Sequence, residues 1–183
     1  VDLMLGKLSA LEADTRALLA LAAHLGDSFD HGQLMSVGER DAASTATVLW
    51  PALQANLVIP LNEGYKFEHS PEQLQTARYR FLHDRVQQAA HELTPTAQRP
   101  ALRLRCGRLL LAASSEAELD ERLFVILDSL NAGIELISDA DERARLLALN
   151  LRGGVRAKSS SAYAVAIELL RKGIALLPAD AWQ

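Results

Sequence analysis

The sequence predicts a mainly α-helical protein with one small β element in its first half. Of the 183 residues, 49% are hydrophobic and only 5% are aromatic, and the apolar residues are mainly Leu and Ala, which favour helices. Apolar residues recur at helical spacing over most of the chain, whereas the composition and alternation typical of strands are confined to residues 57–81. With 23% charged residues, the chain has enough apolar content to bury a core.

Two helices are predicted at the start of the chain. A capping-box pattern at residues 9–12 begins the first, and Gly26 supplies its C-terminal stop. Residues 30–33 repeat the capping pattern and begin a short second helix that ends near Gly38. These residue types satisfy the free backbone groups that every helix terminus leaves.

A third helix is predicted over residues 41–55, and a β-hairpin after it. Pro51 removes a backbone donor, so the helix is either kinked there or gives way to a new turn. Residues 57–61 and 65–68 resemble strands, and the turn-forming residues 62–64 separate them. Three helices followed by a hairpin predict a winged helix-turn-helix domain with a small wing.

The polar segment 69–77 predicts a loop or a single turn before a further strand at residues 78–81. Asp84 then caps a helix, with Gln87 in the reciprocal position of the capping box. Residues 94–95, Thr-Pro, end this helix.

The second half of the chain carries no strand signal. The composition shift near residue 95 predicts a domain boundary, with a winged-helix domain at residues 1–95 and a helical repeat domain at residues 96–183 that begins a longer repeat array. Four helices are predicted there, at residues 98–113, 116–137, 141–158 and 162–177.

The last two predicted helices resemble a tetratricopeptide (TPR) hairpin, whose unit has about 34 residues. The first of the two fits poorly, because Asn150 and Ala157 stand where the consensus prefers large aromatic residues. The second helix fits closely, and across the pair small, large and helix-ending residues fall at consensus positions, which predicts packing roles for Gly154, Tyr163, Ala166, Leu170, Gly173 and Pro178.

Charge argues against nucleic acid as a partner. The net charge is −4 and the pI is near 5.7. Affinity for DNA comes largely from phosphate neutralisation, and residues 41–55, the helix that would enter the major groove, contain no Lys or Arg. We therefore expect no DNA binding.

Cysteine use and hydropathy indicate a cytoplasmic segment. The single Cys106 lies in an apolar run, so we expect a small buried side chain and a reducing compartment. The longest apolar stretches, such as residues 17–25, are too short to cross a membrane. Val1 is not a start methionine and no leader follows it, which indicates a piece of a longer protein.

Other chemical sites are not indicated. The five histidines include no pair at the i, i+4 spacing of a helical metal site, so we expect none. A serine run at residues 159–161 is typical of a helix cap and turn. A basic cluster (Arg99, Arg103, Arg105, Arg108) and an acidic one (Glu116, Glu118, Asp120, Glu121) are expected to pair with each other or to face solvent.

Residues 79–90, YRFLHDRVQQAA, closely resemble the segment that follows the ATPase domain in large bacterial and fungal signalling proteins. These proteins join a serine/threonine-kinase-like domain, a STAND-class (AAA+-related) ATPase, helical repeats, a GAF sensor and often a histidine kinase. One departure is His91, where the family usually has an aromatic residue. The resemblance extends over nearly the whole chain, through residues 1–4, 18–26, 49–54, 162–164 and 176–178.

The resemblance implies that this segment follows a nucleotide-binding core. No phosphate-binding Gly-x-x-x-x-Gly-Lys-Ser/Thr loop occurs in the chain, so we expect no cofactor here, with ATP or ADP and Mg²⁺ bound by the preceding ATPase domain. Residues 81–84, FLHD, resemble the Met-His-Asp motif of STAND switch proteins, whose histidine touches the terminal phosphate of ADP. His83, with Asp84 and Arg85 beside it, is thus the nucleotide-sensing candidate; alternatively, His83 and Asp84 only cap the helix and bond to the preceding strand.

We therefore expect a non-catalytic regulatory and interaction segment of a sensor-kinase type protein. In this hypothesis the first domain relays the nucleotide state of the preceding ATPase domain, and the repeats offer a surface to neighbouring signalling domains or a protein partner. The parent chain would bind ATP and have histidine or serine/threonine kinase activity. The alternative is a free-standing TPR-like scaffold that binds a peptide, with the first domain purely structural.

Overall fold

The computed structural model describes residues 2–63 and 74–177 and divides the chain into two compact units, Val1–Arg99 and Pro100–Gln183. The protein is mainly helical with a small antiparallel sheet. In the first unit the described elements are α1 (Asp2–Ser9), α2 (Ala13–Leu25), β1 (Ser28–Asp30), α3 (His31–Gly38), α4 (Ala42–Gln54), β2 (Val58–Pro60), β3 (Arg78–Phe81), α5 (Asp84–Glu92) and a 3₁₀ helix at Thr96–Gln98.

The ends of helix α2 test two predictions of capping. The predicted capping box at residues 9–12 is wrong. Ser9 is the last residue of α1, so its backbone is helical and not extended as an N-cap requires. Glu12 precedes α2 instead and makes no side-chain cap. The stop at Gly26 is confirmed, because its φ of 140° is a backbone conformation that residues with a side chain rarely adopt.

The start of α3 is capped as predicted, and α4 also begins at a capping residue. The Asp30 carboxylate accepts from the Gln33 backbone N–H at 2.7 Å, and the Gln33 side chain accepts from the Asp30 N–H at 2.8 Å. Asp41 accepts from the Ser44 N–H at 2.7 Å. Helix α4 continues through Pro51 to Gln54, so no new element starts at the proline.

The three strands pair in the order β1, β3, β2, with both pairs antiparallel. Phe29 is opposite Tyr79, and Ile59 is opposite Arg80. Strand β1 is absent from the sequence prediction, since three residues are too few to show an alternating pattern. The predicted hairpin strand at residues 65–68 lies outside the described residues, as does most of the predicted loop 69–77; within the described ranges, β2 pairs with β3.

The core of the first unit lies between the sheet and the helices. Phe29 packs against Tyr79 and Phe81, with ring centroids 6.0 and 5.6 Å apart. Leu19 of α2 and Leu49 of α4 are fully buried and supply the helical side of this core. Burying such apolar side chains is the main favourable free energy of folding.

The second unit is entirely helical in its described part. Its helices are α6 (Arg99–Ala113), α7 (Glu116–Ala132), α8 (Ala140–Ser159) and α9 (Tyr163–Ala175). The predicted end of the second of these at residue 137 was wrong: α7 ends at Ala132, and a 3₁₀ turn at Ile134–Leu136 follows. The break falls at Gly133, where a Cβ would lie 2.7 Å from the Pro100 carbonyl oxygen.

Members of both charge clusters of the second unit pair with residues outside the clusters, and Arg105, Glu116, Asp120 and Glu121 are exposed, as the solvent-facing alternative predicts. Arg103 contacts Asp128, and Arg108 forms a bidentate pair with Glu142 at 2.7 Å. Arg152 of α8 instead meets the acidic cluster, at Glu116 and Asp120. The Arg103 contact thus joins α6 to α7, the Arg108 pair joins α6 to α8, and the Arg152 pairs join α7 to α8.

Cys106 is buried, as predicted. It is 1% exposed on α6, and burial raises the pKa of its thiol to about 11. A thiol with so high a pKa is poorly reactive at neutral pH.

Candidate functional site

The predicted nucleotide-sensing residues lie where strand β3 leads into helix α5. His83 has an extended backbone, with φ −142° and ψ 145°, and its carbonyl accepts from the Val86 N–H at 2.9 Å. Asp84 and Arg85 are the first two residues of the helix. All three side chains are exposed, so the structure presents them to solvent together.

The helix cap at this point differs from the prediction. The N-cap is His83, and Asp84 has a helical backbone, so Asp84 cannot occupy the capping position. The His83 side chain makes no capping hydrogen bond either. The reading in which these two side chains cap α5 is therefore wrong.

The electrostatics of this helix start are mixed. A helix N-terminus favours an anion, and His83 can donate to one. Asp84, however, already places a carboxylate in the first turn. The helix start therefore carries a carboxylate at Asp84 as well as the two possible donors His83 and Arg85.

A second histidine, His31, is fully buried and was not singled out by the sequence. Its Nε2 lies 3.0 Å from the Ala42 carbonyl oxygen, which can only accept, so Nε2 carries the proton. Nδ1 then accepts from the Tyr79 hydroxyl at 3.5 Å. Burial lowers the pKa of His31 and raises that of Tyr79 to about 12, so both are neutral and together link the starts of α3 and α4 to strand β3.

A pair of histidines, His24 and His91, joins α2 to α5. The rings of His24 and His91 are 4.3 Å apart at their centroids and tilted by 54°, and His24 is buried. His91 is the residue at which the sequence departs from the aromatic residue of the family that it resembles, and its ring lies against that of His24. The described residues contain no group of three or more His, Cys, Asp or Glu side chains that could hold a metal ion.

The residues predicted to pack the last hairpin fall into two groups. At the crossing of α8 and α9, Gly154 lies against Leu170, and Gly173 lies near the Leu147 carbonyl oxygen. Ala166 is buried on the same side of α9. Tyr163 is instead largely exposed, and Pro178 lies outside the described residues.

Asn150, the poor match in the repeat pattern, has a specific role. Its side chain is fully buried and exchanges two hydrogen bonds with Asn131 of α7, at 2.9 and 3.0 Å. It also donates to the Leu146 carbonyl oxygen at 3.0 Å. A reciprocal amide pair thus stands at the α7–α8 crossing, where a regular repeat would carry an aromatic ring.

An apolar groove runs between α8 and α9. A cavity of about 110 Å³ lies in it, lined by Leu147, Leu151, Leu170, Gly173, Ile174 and Leu177. We call this surface the α8–α9 groove. Two of its side chains, Leu151 and Ile174, are largely exposed, at 53% and 58%.

No helix of residues 2–63 and 74–177 combines the length and the apolar character that crossing a membrane requires.

Comparison with known proteins connects the chain with signal transduction. The chain is 26% identical over 202 aligned positions to hybrid signal transduction histidine kinase G of Dictyostelium discoideum. The match covers 89% of this chain but only 6% of that protein. No family model matches the chain, and no solved structure matches it.

Proposed function

We propose that this chain is a non-catalytic regulatory and interaction segment of a signal-transduction protein. The observation that carries the proposal is the likeness to a hybrid histidine kinase, which extends over most of the chain. Because the chain spans 6% of that relative, the kinase activity belongs to the relative, and a parent protein with ATP-binding and kinase domains is part of the proposal.

The first unit is proposed to be a winged-helix domain. Its order of elements supports this: α2, β1, α3, α4, β2 and β3 follow one another, with β3 in the middle of the sheet. A DNA-binding role is disfavoured, because α4 contains no Lys or Arg that could neutralise phosphates.

The first unit is further proposed to relay the nucleotide state of an ATPase domain. His83 and Arg85 are exposed at the end of β3, where they could reach a phosphate bound elsewhere. With ADP bound, His83 would hold the unit against the ATPase domain, and exchange would release it. Such a rotation needs contacts that differ between the two states.

The test is the basal output of the full-length signalling protein with His83→Ala. We expect higher basal output and faster ADP release than in the unmodified protein. Gln88→Ala is the matched control, since Gln88 is an exposed residue of the same helix. Unchanged output together with unchanged ADP retention in His83→Ala would contradict the relay.

A second candidate function is a TPR-like scaffold that binds a peptide. The exposed apolar lining of the α8–α9 groove favours it. The two functions differ in a simple respect: a scaffold requires the groove and not His83.

A further inference from the structure

The second unit contains an internal structural repeat. A Cβ at Gly107 of α6 would lie 2.8 Å from the Leu130 side chain of α7. Likewise, a Cβ at Gly154 of α8 would lie 2.7 Å from the Leu170 side chain of α9. In each hairpin the first helix therefore carries a glycine against a leucine of the second helix.

A second contact repeats in the same register. Gly133, directly after α7, lies against the Pro100 carbonyl oxygen, and Gly173 of α9 lies near the Leu147 carbonyl oxygen. In the first helices of the two hairpins, Gly154 follows Gly107 by 47 positions, and Leu147 follows Pro100 by the same number. On the side of the second helices, Leu170 follows Leu130 by 40 positions, and Gly173 follows Gly133 by 40 positions as well. The hairpins α6–α7 and α8–α9 thus share one packing scheme.

Equivalent residues of the two hairpins differ sharply in exposure. The apolar face of the first hairpin is buried, whereas the matching face of the second, which borders the α8–α9 groove, is open. The pairs are Leu104 at 3% and Leu151 at 53%, Leu123 at 0% and Tyr163 at 61%, and Leu127 at 0% and Ile167 at 50%.

Helix α8 contacts both helices of the first hairpin. Gly153 packs against Leu127 of α7, and Glu142 pairs with Arg108 of α6. The element that packs beside the first hairpin is thus an amphipathic helix, α8, with a glycine at its crossing point. It is also the next helix along the chain.

Charge near the α8–α9 groove adds a further constraint. Lys158 follows Leu151 by about two helical turns and Leu147 by about three, so it lies on the same face of α8. Arg171 follows Ile167 by four residues on α9. Both cations are exposed, so a helix with carboxylates beside its apolar stripe would suit this groove.

We propose that the α8–α9 groove is the docking site for the first helix of a third hairpin in the same polypeptide. That helix packs against α8 and α9 as α8 packs against α6 and α7, with a leucine- or isoleucine-rich stripe, a small residue at the crossing and carboxylates beside Lys158 and Arg171. The proposal rests on the proposed function and names the partner of its helical surface.

Cysteine labelling of the full-length protein tests this docking. Ile174→Cys places a thiol in the groove, and Val165→Cys, at a similarly exposed residue of the same helix, is the matched control. Cys106 is buried and gives a slow background in the second unit. We expect Ile174→Cys to react at least about tenfold more slowly in the full-length protein than in the isolated chain, with Val165→Cys unchanged.

Two outcomes would overturn the proposal. The first is equal labelling of Ile174→Cys in both proteins. The second is protection that disappears on dilution, accompanied by a dimer mass in solution, because a second copy would then occupy the groove. Labelling reports docking alone, whereas the output of His83→Ala reports the relay, so each proposal can fail without the other.

Discussion

The two units bury their polar groups in different ways. The first buries imidazoles, at His24 and His31, and all five histidines of the chain lie within it. The second buries an amide pair, Asn131 with Asn150. An imidazole titrates near neutral pH and an amide does not. Mild acid should therefore weaken the first unit and leave the second unchanged.

The units also differ in how closely their helices approach. In the first unit a Cβ at Gly38 would lie 3.3 Å from Leu18, a contact that a side chain can relieve. In the second unit a Cβ at Gly133 would strike backbone as well as side chain at 2.7 Å. The helix spacing of the second unit consequently depends on particular glycines.

The largest expected effect is that of Gly133→Ala. Its Cβ would force α6 and the end of α7 apart, which should lower the free energy of unfolding by about 3 kcal/mol. Gly173→Ala is the matched control, because the nearest atom to its Cβ would be 3.5 Å away and alanine favours the helix. Urea unfolding checks both variants, and losses of equal size would contradict the steric account.

The next effect is that of breaking the amide pair. Asn150→Ala leaves the buried Asn131 amide without the two bonds it shares, which should cost about 2 kcal/mol. Adding Asn131→Ala removes the orphaned group, so the double variant should lose less than the two single losses combined. A double-mutant cycle in urea measures the coupling, and strictly additive losses would show that the amides act independently.

The smallest effect at neutral pH is the titration of His31, which grows with acid. Burial lowers the pKa of the folded state below the ordinary value of 6.5, so the unfolded state binds the proton first. The stabilising contribution is complete above pH 6.5 and is lost progressively as the pH falls below it. Hydrogen exchange at pH 8 and pH 5, corrected for the intrinsic rate, should show less protection of the first unit at pH 5 than at pH 8. The protection of the second unit should change little.

His31→Gln is the variant that assigns this pH dependence. It should be less stable at pH 8, because the neutral imidazole bridge between Ala42 and Tyr79 is altered, and its protection should change less between the two pH values. The same pH dependence in the variant as in the unmodified protein would assign the effect to another group.

The predictability of the fold follows the range of the interactions. The cap at Asp30 and the stop at Gly26 depend on neighbouring residues, and both were predicted. Strand β1 depends on pairing with β3, some fifty residues later, so local pattern could not reveal it. Ser9 failed as a cap because α1 extends through it, which the local motif alone does not exclude.

The candidate site divides along the same line. His83 was selected by its place in a recognisable stretch between a strand and a helix. The contact of His24 with His91 and the bridge from His31 to Tyr79 join residues distant in sequence, and no spacing rule connects them. For the contact of His24 with His91, the one available signal in the sequence was that His91 stands where the resembled family has an aromatic residue.

By itself, the sequence determined the helical class, most helix ends, the short strands around residues 58 and 80, and the burial of Cys106, because each follows from local propensity, capping chemistry or hydropathy. Only the tertiary structure decided which polar side chains meet in the interior, because such contacts join residues that are distant in the chain. Glycine contacts such as those at Gly107 and Gly154 depend on the distance between two helix axes, which the packing of the whole unit determines.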